Sequence, residues 1–272
     1  MDLWPEPPVR SPSRHYRRWA FEAAALDLAL RQAETDLASA LDRPMDDVRF
    51  VVSTRLDVNA EGEEIPPSSE RIDAWLAVDP TIEFKLDPTP AWDAALIERL
   101  AATDAVRILD LKGLYEDEEV RPPADPETYR RIFEGFPDAV VEDPRLTDGT
   151  EPIVDAHRER VSWDYPITGL ESIDELPFEP TWLNVKPSRF GTVESLLETI
   201  EYCLEAGISL YGGGQFELGT GRHQIHTLAA IFYPDGPNDV APGAYNQPEP
   251  SADVPSSPLT PPKDPVGFGG GW

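Results

Sequence analysis

Apolar positions recur along the chain at two different spacings, and the change between them divides it. From Tyr16 to about Leu41 they return every three or four residues with charged residues between them, which predicts one amphipathic helix. The apolar positions of this helix are Trp19, Ala23, Leu26, Leu30, Ala33 and Leu37. Residues 1–14, which precede it, are rich in proline and are predicted to be irregular.

After residue 47, short apolar runs alternate with longer helical patterns. Strands are predicted at 48–54, 81–86, 106–111, 139–143, 160–164, 181–186 and 208–211. Helices are predicted near 69–76, 91–102, 126–134, 169–176, 192–206 and 219–231. Strands and helices that alternate at this spacing indicate parallel pairing with right-handed crossovers. The predicted fold class is therefore α/β, a closed barrel, with an open doubly wound sheet as the alternative.

These patterns predict three regions. Residues 1–46 form an N-terminal segment with one helix, residues 47–245 form the barrel, and residues 246–272 form a Pro/Gly-rich tail. Asn238 to Pro242 are expected to complete the barrel wall. Gly212-Gly-Gly214 follows a strand, but it fits neither of the two common phosphate-binding fingerprints.

The excess of acidic residues limits the kinds of molecule that the protein can bind. The formal net charge is −28 and the pI is near 4.3, which argues against binding to nucleic acid or to an anionic membrane. Four lysines stand against nineteen arginines, and the acidic residues are spread along the chain. This composition is typical of a halophilic protein, whose acidic surface is screened by high salt.

Other features indicate a cytoplasmic protein. The single cysteine, Cys203, excludes an intramolecular disulfide and a cysteine metal cluster. The N-terminus has neither the basic segment nor the apolar core of a signal peptide, and no apolar run is long enough to span a membrane. The composition leaves a homo-oligomer open.

Charged residues end five consecutive predicted strands. They are Lys85, Asp110, Glu142, Asp164 and Lys186, each separated from the next by one strand-helix unit. Because successive strand ends of a parallel barrel face the same mouth, three carboxylates flanked by two lysines should converge there. Carboxylate ligands without histidine or cysteine suit a hard divalent cation, Mg²⁺ before Mn²⁺. The alternative is that each is an ordinary charge at the end of a strand.

Four segments of the chain resemble sequence motifs of the enolase superfamily. Asp110-Leu-Lys-Gly-Leu-Tyr115 resembles its Asp-Ala-Asn-Gly-x-Trp/Tyr after the third barrel strand, and Val141-Glu-Asp-Pro144 its Glu-x-Pro after the fourth. Asn184-Val-Lys-Pro-Ser188 resembles Lys-x-Ser after the sixth strand, and the helix from Trp19 to Leu30 resembles the family's Ala-Leu-Asp-x-Ala helix. The similarity is to the mandelate racemase and muconate-lactonizing branch, with o-succinylbenzoate synthase-like members nearest.

The resemblance implies a modified TIM barrel of the (β/α)7β type and a reaction mechanism. Asp110, Glu142 and Asp164 would bind Mg²⁺, which would hold a substrate carboxylate and stabilise the enediolate left by α-proton removal. Lys186 and Lys85 would be the acid/base residues on opposite faces of the substrate. A lysine acts as a base only when its pKa falls toward neutrality, and a nearby cation and burial both lower it.

Five further residues are predicted to contact the substrate. Lys112 replaces the family's usual asparagine and adds positive charge near the metal, and Ser188 belongs to the Lys-x-Ser segment. The loop from Gly212 to Arg222 corresponds to the family's seventh-strand loop at the mouth. Its predicted substrate contacts are Gly213, Glu217 and Arg222.

The sequence also departs from the family pattern. The family's Lys-x-Lys on the second strand is replaced by Glu83-Phe-Lys85, and a register shifted by two would place Asp87 at the catalytic position. The Asp-Glu-Ser segment after the fifth strand is matched in letters by Gly169-Leu-Glu-Ser172, but spacing favours Asp164. About 47 residues precede the first strand, so most of the family's N-terminal cap domain is expected to be missing.

Two functions follow from these observations. The first is a Mg²⁺-dependent lyase, racemase or epimerase that removes the α-proton of a small carboxylate substrate, with dehydration of the o-succinylbenzoate synthase type favoured. The second is a catalytically inactive barrel that serves as a structural or interaction protein. Retention of the carboxylates and lysines favours the first, whereas Glu83, Lys112 and the reduced cap favour the second.

Overall fold

A computed structural model of the chain describes residues 6, 12–59, 62–116, 121–247 and 249–272. Residues 1–14, predicted to be irregular, lie largely outside this part. The sheet that it contains has seven parallel strands: β1 (Val52–Thr54), β2 (Phe84–Leu86), β3 (Val106–Asp110), β4 (Val140–Glu142), β5 (Val161–Trp163), β6 (Trp182–Val185) and β7 (Ser209–Gly212). They follow one another around the sheet in chain order. Since a doubly wound sheet reverses its strand order, this arrangement confirms the predicted barrel class.

Helices follow the strands on the outside of the sheet. Their bounds are α1 (Ser13–Gln32), α2 (Leu37–Ala40), α3 (Glu70–Val78), α4 (Ala94–Ala101), α5 (Pro126–Gly135), α6 (Glu151–Asp155), α7 (Leu170–Asp174), α8 (Val193–Ala206) and α9 (Thr220–Phe232). Side-chain caps fix several starts; Asp93 accepts from the Leu96 amide, and Thr192 accepts from the Ser195 amide. Within the described residues, no helix is both long and apolar enough to cross a bilayer.

The prediction of one continuous helix from Tyr16 to Leu41 is wrong. Helix α1 ends at Gln32, and Asp36 caps the separate helix α2 by accepting from the Ser39 amide at 3.1 Å. Glu34, with a φ of 53°, ends α1 locally, since the Thr35 amide donates back to the Leu30 carbonyl. The segment that follows pairs with the C-terminal tail: the Leu37 amide donates to the Gly267 carbonyl and the Gly267 amide to the Thr35 carbonyl. The local apolar period continues across a segment whose backbone pairs with a distant part of the chain.

The seam between β7 and β1 is bridged by Asn238 and Asp239. The Val51 amide donates to the Asn238 carbonyl and the Asp239 amide to the Gly212 carbonyl, each at 2.8 Å. The buried Asn238 side chain accepts from the Gly212 amide at 2.6 Å and donates to the Arg49 carbonyl at 2.9 Å. The segment predicted to complete the wall therefore does so. The predicted strand 48–54 is correspondingly shorter, because its first half makes isolated bridges instead of a ladder.

The barrel has two apolar layers. A small inner cluster of Val51, Ile108, Val140 and Tyr211, with Trp182 packed against it, fills the floor inside the strands. The larger cluster lies between the strands and the surrounding helices. The functional side chains described below therefore lie above this apolar cluster, at one end of the barrel.

The Pro/Gly-rich tail packs against the barrel and α1. Leu259 pairs with Val48 through two backbone hydrogen bonds of 2.8 Å. Phe268 is 1% exposed and lies edge-on to Trp19 with 6.3 Å between ring centroids. The Trp272 indole donates to the Thr227 hydroxyl at 2.8 Å. These contacts account for the order of a segment whose sequence shows little periodicity.

His226 should make the fold sensitive to mild acid. Its Nε2 lies 2.8 Å from the Val240 carbonyl beside the seam, and burial lowers its pKa from 6.5 to about 4. Between these values the unfolded chain binds a proton that the folded chain does not, so stability falls as pH decreases. The loss by pH 4 should approach roughly 3 kcal/mol. In urea unfolding from pH 8 to 4.5, His226→Gln should flatten this part of the profile; parallel curves for the two proteins would contradict it.

Candidate active site

The five charged residues predicted from the strand ends meet at the same end of the barrel. Lys85 lies within β2, Asp110 and Glu142 close β3 and β4, and Asp164 and Lys186 directly follow β5 and β6. Asp110 is the register partner of Glu142 in the β3–β4 pair. All five side chains are buried, between 0 and 6% exposed. Because parallel strands end at one rim, these side chains lie at the same end of the barrel.

Glu142 lies at the centre of this group. Its Oε1 accepts from Lys85 Nζ, and its Oε2 accepts from the Tyr211 hydroxyl and, at 3.1 Å, from Asn184 Nδ2. The Ser162 hydroxyl is 2.8 Å from that of Tyr211 and completes the network. Burial, reinforced by the charges of Asp110 and Asp164, raises the pKa of Glu142 to about 8.

Asp110 is neutralised by two lysines. Lys112 Nζ donates to it at 2.9 Å, and Lys85 Nζ lies at 3.3 Å. Although burial raises the pKa of Asp110, these two ammonium groups outweigh it and hold the pKa below its ordinary value. Lys112 also pairs with Asp87 at 3.2 Å, and burial raises the pKa of Asp87 to about 6. Both residues considered for the catalytic position on the second strand therefore lie at the rim.

Asp164 is neutralised from the side of β6. Lys186 Nζ donates to it at 2.8 Å and Arg189 Nη1 at 2.9 Å, and their charges outweigh burial to lower the pKa of Asp164. The adjacent carboxylate of Asp143 accepts from the Asp164 and Tyr165 amides, each at 2.8 Å. Burial, with the charges of Asp164 and Asp110, raises the pKa of Asp143 to about 7.

Together these side chains form what we call the charged cluster. Its acidic members are Asp87, Asp110, Glu142, Asp143, Asp164 and Asp239, and its basic members are Lys85, Lys112, Lys186 and Arg189. Six carboxylates against four cations leave a formal surplus of two negative charges in this described cluster. The raised pKa values of Glu142, Asp143 and Asp87 have the same origin, since burial and like charge both disfavour the ionised forms.

The structure brings some of the predicted substrate contacts to this mouth. The Ser188 hydroxyl donates to Glu217 at 3.0 Å, and Glu217 also accepts from the Gln215 amide. Lys112 is part of the charged cluster. Arg222 is half-buried in the first turn of α9, and no hydrogen bond or ion pair between described residues joins it to the cluster.

Gly213 lies in close contact with two side chains of the site. A Cβ there would lie 2.7 Å from Asn184 Oδ1 and 2.8 Å from Lys186 Cε. The Asn184 Oδ1 atom is buried and has no hydrogen-bond partner among the described residues, so it is an unused acceptor inside the site. The absence of a side chain at Gly213 leaves room for both groups.

The donor set fits a hard divalent cation by its chemistry. It offers carboxylate oxygens from three consecutive strands and an unpaired amide oxygen. In the present arrangement, however, lysine and arginine nitrogens lie against these oxygens. No group of three histidine, cysteine or acidic side chains in the described ranges is arranged to hold an ion as it stands. Binding would therefore require ammonium groups to leave the carboxylates.

Comparison with known proteins places the chain in a family. Residues 44–247 match the C-terminal domain of DUF8230, a domain of unknown function, and residues 1–40 match its N-terminal domain. The chain belongs to the DUF8230 family. No curated protein sequence matches it.

Solved structures of the enolase superfamily share the fold. A member from Listeria innocua superimposes with a TM-score of 0.62 at 20% identity, covering 86% of this chain and 64% of its own. A dipeptide epimerase from Methylococcus capsulatus, in complex with Mg and the dipeptide L-Arg-D-Lys, gives 0.58 at 18%, covering 82% and 66%. A muconate cycloisomerase variant gives 0.56 at 16%, covering 79% and 59%.

These likenesses confirm the predicted fold relationship. The chain has the barrel fold of the enolase superfamily, and its neighbours include racemase, epimerase and cycloisomerase structures. The chain spans only 59–64% of the length of three of these enolase-superfamily structures. The o-succinylbenzoate synthase subtype stays a prediction.

Several residues of the site were missed from the sequence. Asn184 precedes Lys186 by two positions on the same strand, so the period of two could have placed it on the inner face. The same rule applies to Tyr211 on β7. Asp143 stands inside a segment that carries the resemblance, and Arg189 directly follows another, but the family pattern points to their neighbours. Asp239 belongs to the seam, and no local signal directs it toward Lys85.

Gly213→Ala tests the packing of this site. The added Cβ must displace Asn184 or Lys186, and overpacking of this kind costs about 1–3 kcal/mol. Thermal unfolding should show a lower midpoint for this variant. Gly243→Ala is the matched control, because a Cβ at that position would meet nothing within 4 Å and should leave the midpoint nearly unchanged. Equal midpoints for the two variants would mean that Gly213 is not tightly packed.

Proposed function

We propose that the chain is a Mg²⁺-dependent enzyme that removes the α-proton of a small carboxylate substrate. The observation that carries this proposal is the meeting of Asp110, Glu142 and Asp164 with two buried lysines at one barrel mouth. An inert barrel gains nothing from placing six carboxylates, four of them buried, against four cations, because the desolvation of unpaired charge is costly. A site that binds a cation and an anionic substrate accounts for the surplus.

Asp110, Glu142 and Asp164 are the residues that would hold the cation. When bound, it would stabilise the negative charge that develops on the substrate carboxylate as the α-proton leaves. Tyr211 and Asn184 hold one oxygen of Glu142, and the other oxygen accepts from Lys85. This division fixes the orientation of the carboxylate before any ligand arrives.

The two lysines approach the mouth from different sides. Lys85 belongs to β2 and Lys186 follows β6, with three strands between them in the sheet order. A substrate held between them would present one face of its α-carbon to each ammonium group. One lysine removes the proton. In a racemase or epimerase the other lysine returns a proton on the opposite face. In a dehydrating lyase the other lysine stabilises the charge, and the first returns its proton to the departing hydroxyl group, which leaves as water.

The protonation of Lys85 depends on the carboxylates around it. Burial lowers the pKa of Lys85, but Glu142, Asp110 and Asp239 outweigh burial and raise it well above its ordinary value. This shift is opposite to the lowering expected for a base. A cation on Asp110 and Glu142 would offset two of these three charges and leave that of Asp239, so the pKa of Lys85 would be lower in the loaded site than in the arrangement described here.

Substrate chemistry is limited by the same groups. Arg189 and Lys112 supply positive charge on both sides of the carboxylates, which suits an anionic substrate group. Structural neighbours include dipeptide epimerases crystallised with dipeptides, and dipeptides are therefore one class to test beside carboxylates that can lose water. Dehydration of the o-succinylbenzoate synthase type is the favoured reaction.

One observation favours the second function, an inactive barrel. Each of the three proposed ligands already has a basic partner: Lys85 on Glu142, Lys112 on Asp110 and Lys186 on Asp164. If these pairs persist with Mg²⁺ present, they are structural ion pairs. The barrel would then be an interaction protein.

Exchange of substrate α-protons with deuterated solvent tests the catalytic proposal. Lys186→Ala and Lys85→Ala should each reduce exchange by about 10²–10⁴, because general acid-base groups contribute factors of this size. Lys263→Ala is the matched control, since this lysine is exposed on the tail. Mass spectrometry of a panel of dipeptides and β-hydroxy carboxylates would measure the exchange.

Two outcomes would change the account. No exchange with any substrate, together with retained lysine ion pairs, would favour the inactive barrel. A silent Lys85→Ala beside an inactive Asp87→Ala would place the catalytic position of the second strand at Asp87.

Metal binding should be visible in thermal stability. Millimolar Mg²⁺ should raise the unfolding midpoint beyond the effect of NaCl at equal ionic strength, because a specific ligand stabilises only the folded state. Glu142→Gln should remove this increment, and Glu151→Gln, on the exposed start of α6, should keep it. All three proteins should share the stabilisation by molar salt that we propose for the acidic surface. An identical Mg²⁺ response in all three would argue against these ligands.

A further inference from the structure

Lys85 contacts three carboxylates, of which only two are proposed to bind the metal ion. Its Nζ donates to Glu142 and lies 3.3 Å from Asp110 and 3.5 Å from Asp239. Glu142 and Asp110 are proposed metal ligands, whereas Asp239 is not. Lys85 is only 2% exposed, so its ammonium group depends on these partners instead of water.

A cation on Asp110 and Glu142 would compete with this ammonium group. Two positive charges cannot share the same oxygens without strong repulsion in a site of low dielectric. The nearby carboxylate of Asp87 is already paired with Lys112 at 3.2 Å. Asp239 is therefore the partner that remains for Lys85 when the other two bind an ion.

Asp239 is built to stay in place. Its backbone amide donates to the Gly212 carbonyl at 2.8 Å, and the preceding residue is the fully buried Asn238 that joins the seam. One residue further on, the Val240 carbonyl bonds His226. The Asp239 side chain is 21% exposed and faces the mouth from this fixed backbone. It can hold an ammonium group without moving the wall of the barrel.

We infer that Asp239 is a positioning residue, which holds the Lys85 ammonium group when Asp110 and Glu142 bind a divalent cation. The inference rests on the proposed function, because it requires those two carboxylates to bind the ion. Asp239 thereby lowers the free-energy cost of binding the cation and keeps the Lys85 ammonium group at the barrel mouth. It acts through Lys85 and need not touch the ion.

A double-mutant cycle with Mg²⁺ alone tests this inference. Isothermal titration would compare the wild type, Asp239→Asn, Lys85→Met and the double variant. Asp239→Asn should weaken Mg²⁺ binding roughly tenfold in the wild-type background, since Lys85 then competes more strongly for the ligands. It should have no effect once Lys85 is methionine. Asp239→Glu should restore most of the affinity, and Asp235→Asn, an equal charge change at an exposed position of the same segment, should leave it unchanged.

A second readout needs no variant of Lys85. With the lysines labelled by ¹³C at Cε, Mg²⁺ should shift the Lys85 resonance in the wild type and leave it rigid. In Asp239→Asn the same resonance should become mobile on addition of Mg²⁺. If Lys85→Met does not fold, this measurement and Lys85→Gln replace it.

The possible outcomes distinguish failure of the Asp239 inference from failure of the proposed function. An equal loss of Mg²⁺ affinity in both backgrounds would mean that Asp239 attracts the ion directly, and would overturn the inference alone. A rigid Lys85 signal in Mg²⁺-loaded Asp239→Asn would do the same. Absence of Mg²⁺ binding in every protein would overturn the proposed function and the inference with it.

Discussion

The burial of four carboxylates at the barrel mouth, those of Asp110, Glu142, Asp143 and Asp164, is the constraint on which the rest of the site depends. Charge that is removed from water must be paired, protonated or bound to an ion. The chain pairs part of it with Lys85, Lys112, Lys186 and Arg189. The remainder raises the pKa values of Glu142 and its neighbours. Such a site is poised to accept a divalent cation, an anionic substrate bound through it, or both.

The barrel holds these charges in place through features that lie below and beside them. The apolar floor around Ile108 and Val140 keeps water out from beneath the cluster. Tyr211, anchored on Ser162, reaches across the barrel from β7 to Glu142 on β4. Asn238 closes the wall through hydrogen bonds to both adjacent strands. These contacts connect the side chains of the site to several strands of the barrel at once.

Much of this arrangement could be predicted from the sequence, for definite physical reasons. Short apolar runs that end in charge identify strands and their ends, and parallel order then brings Lys85, Asp110 and Glu142 to one rim. Local patterns do not show which charge pairs with which. The pairing of Lys112 with both Asp110 and Asp87 depends on a left-handed backbone at Lys112, with a φ of 49°. The segment between α1 and α2 pairs with the distant tail, and the approach of Asp239 to Lys85 depends on closure of the seam.

The central claim is that Asp110, Glu142 and Asp164 share one divalent cation in place of their lysine partners. Crystals soaked in Mn²⁺ test it most directly, because anomalous scattering locates the ion independently of the side chains. We predict one strong anomalous peak at coordination distance from all three carboxylates, with Lys85 Nζ displaced from Glu142. A site without a peak, in which Lys85 still contacts Glu142 and Asp110 at millimolar Mn²⁺, would contradict it.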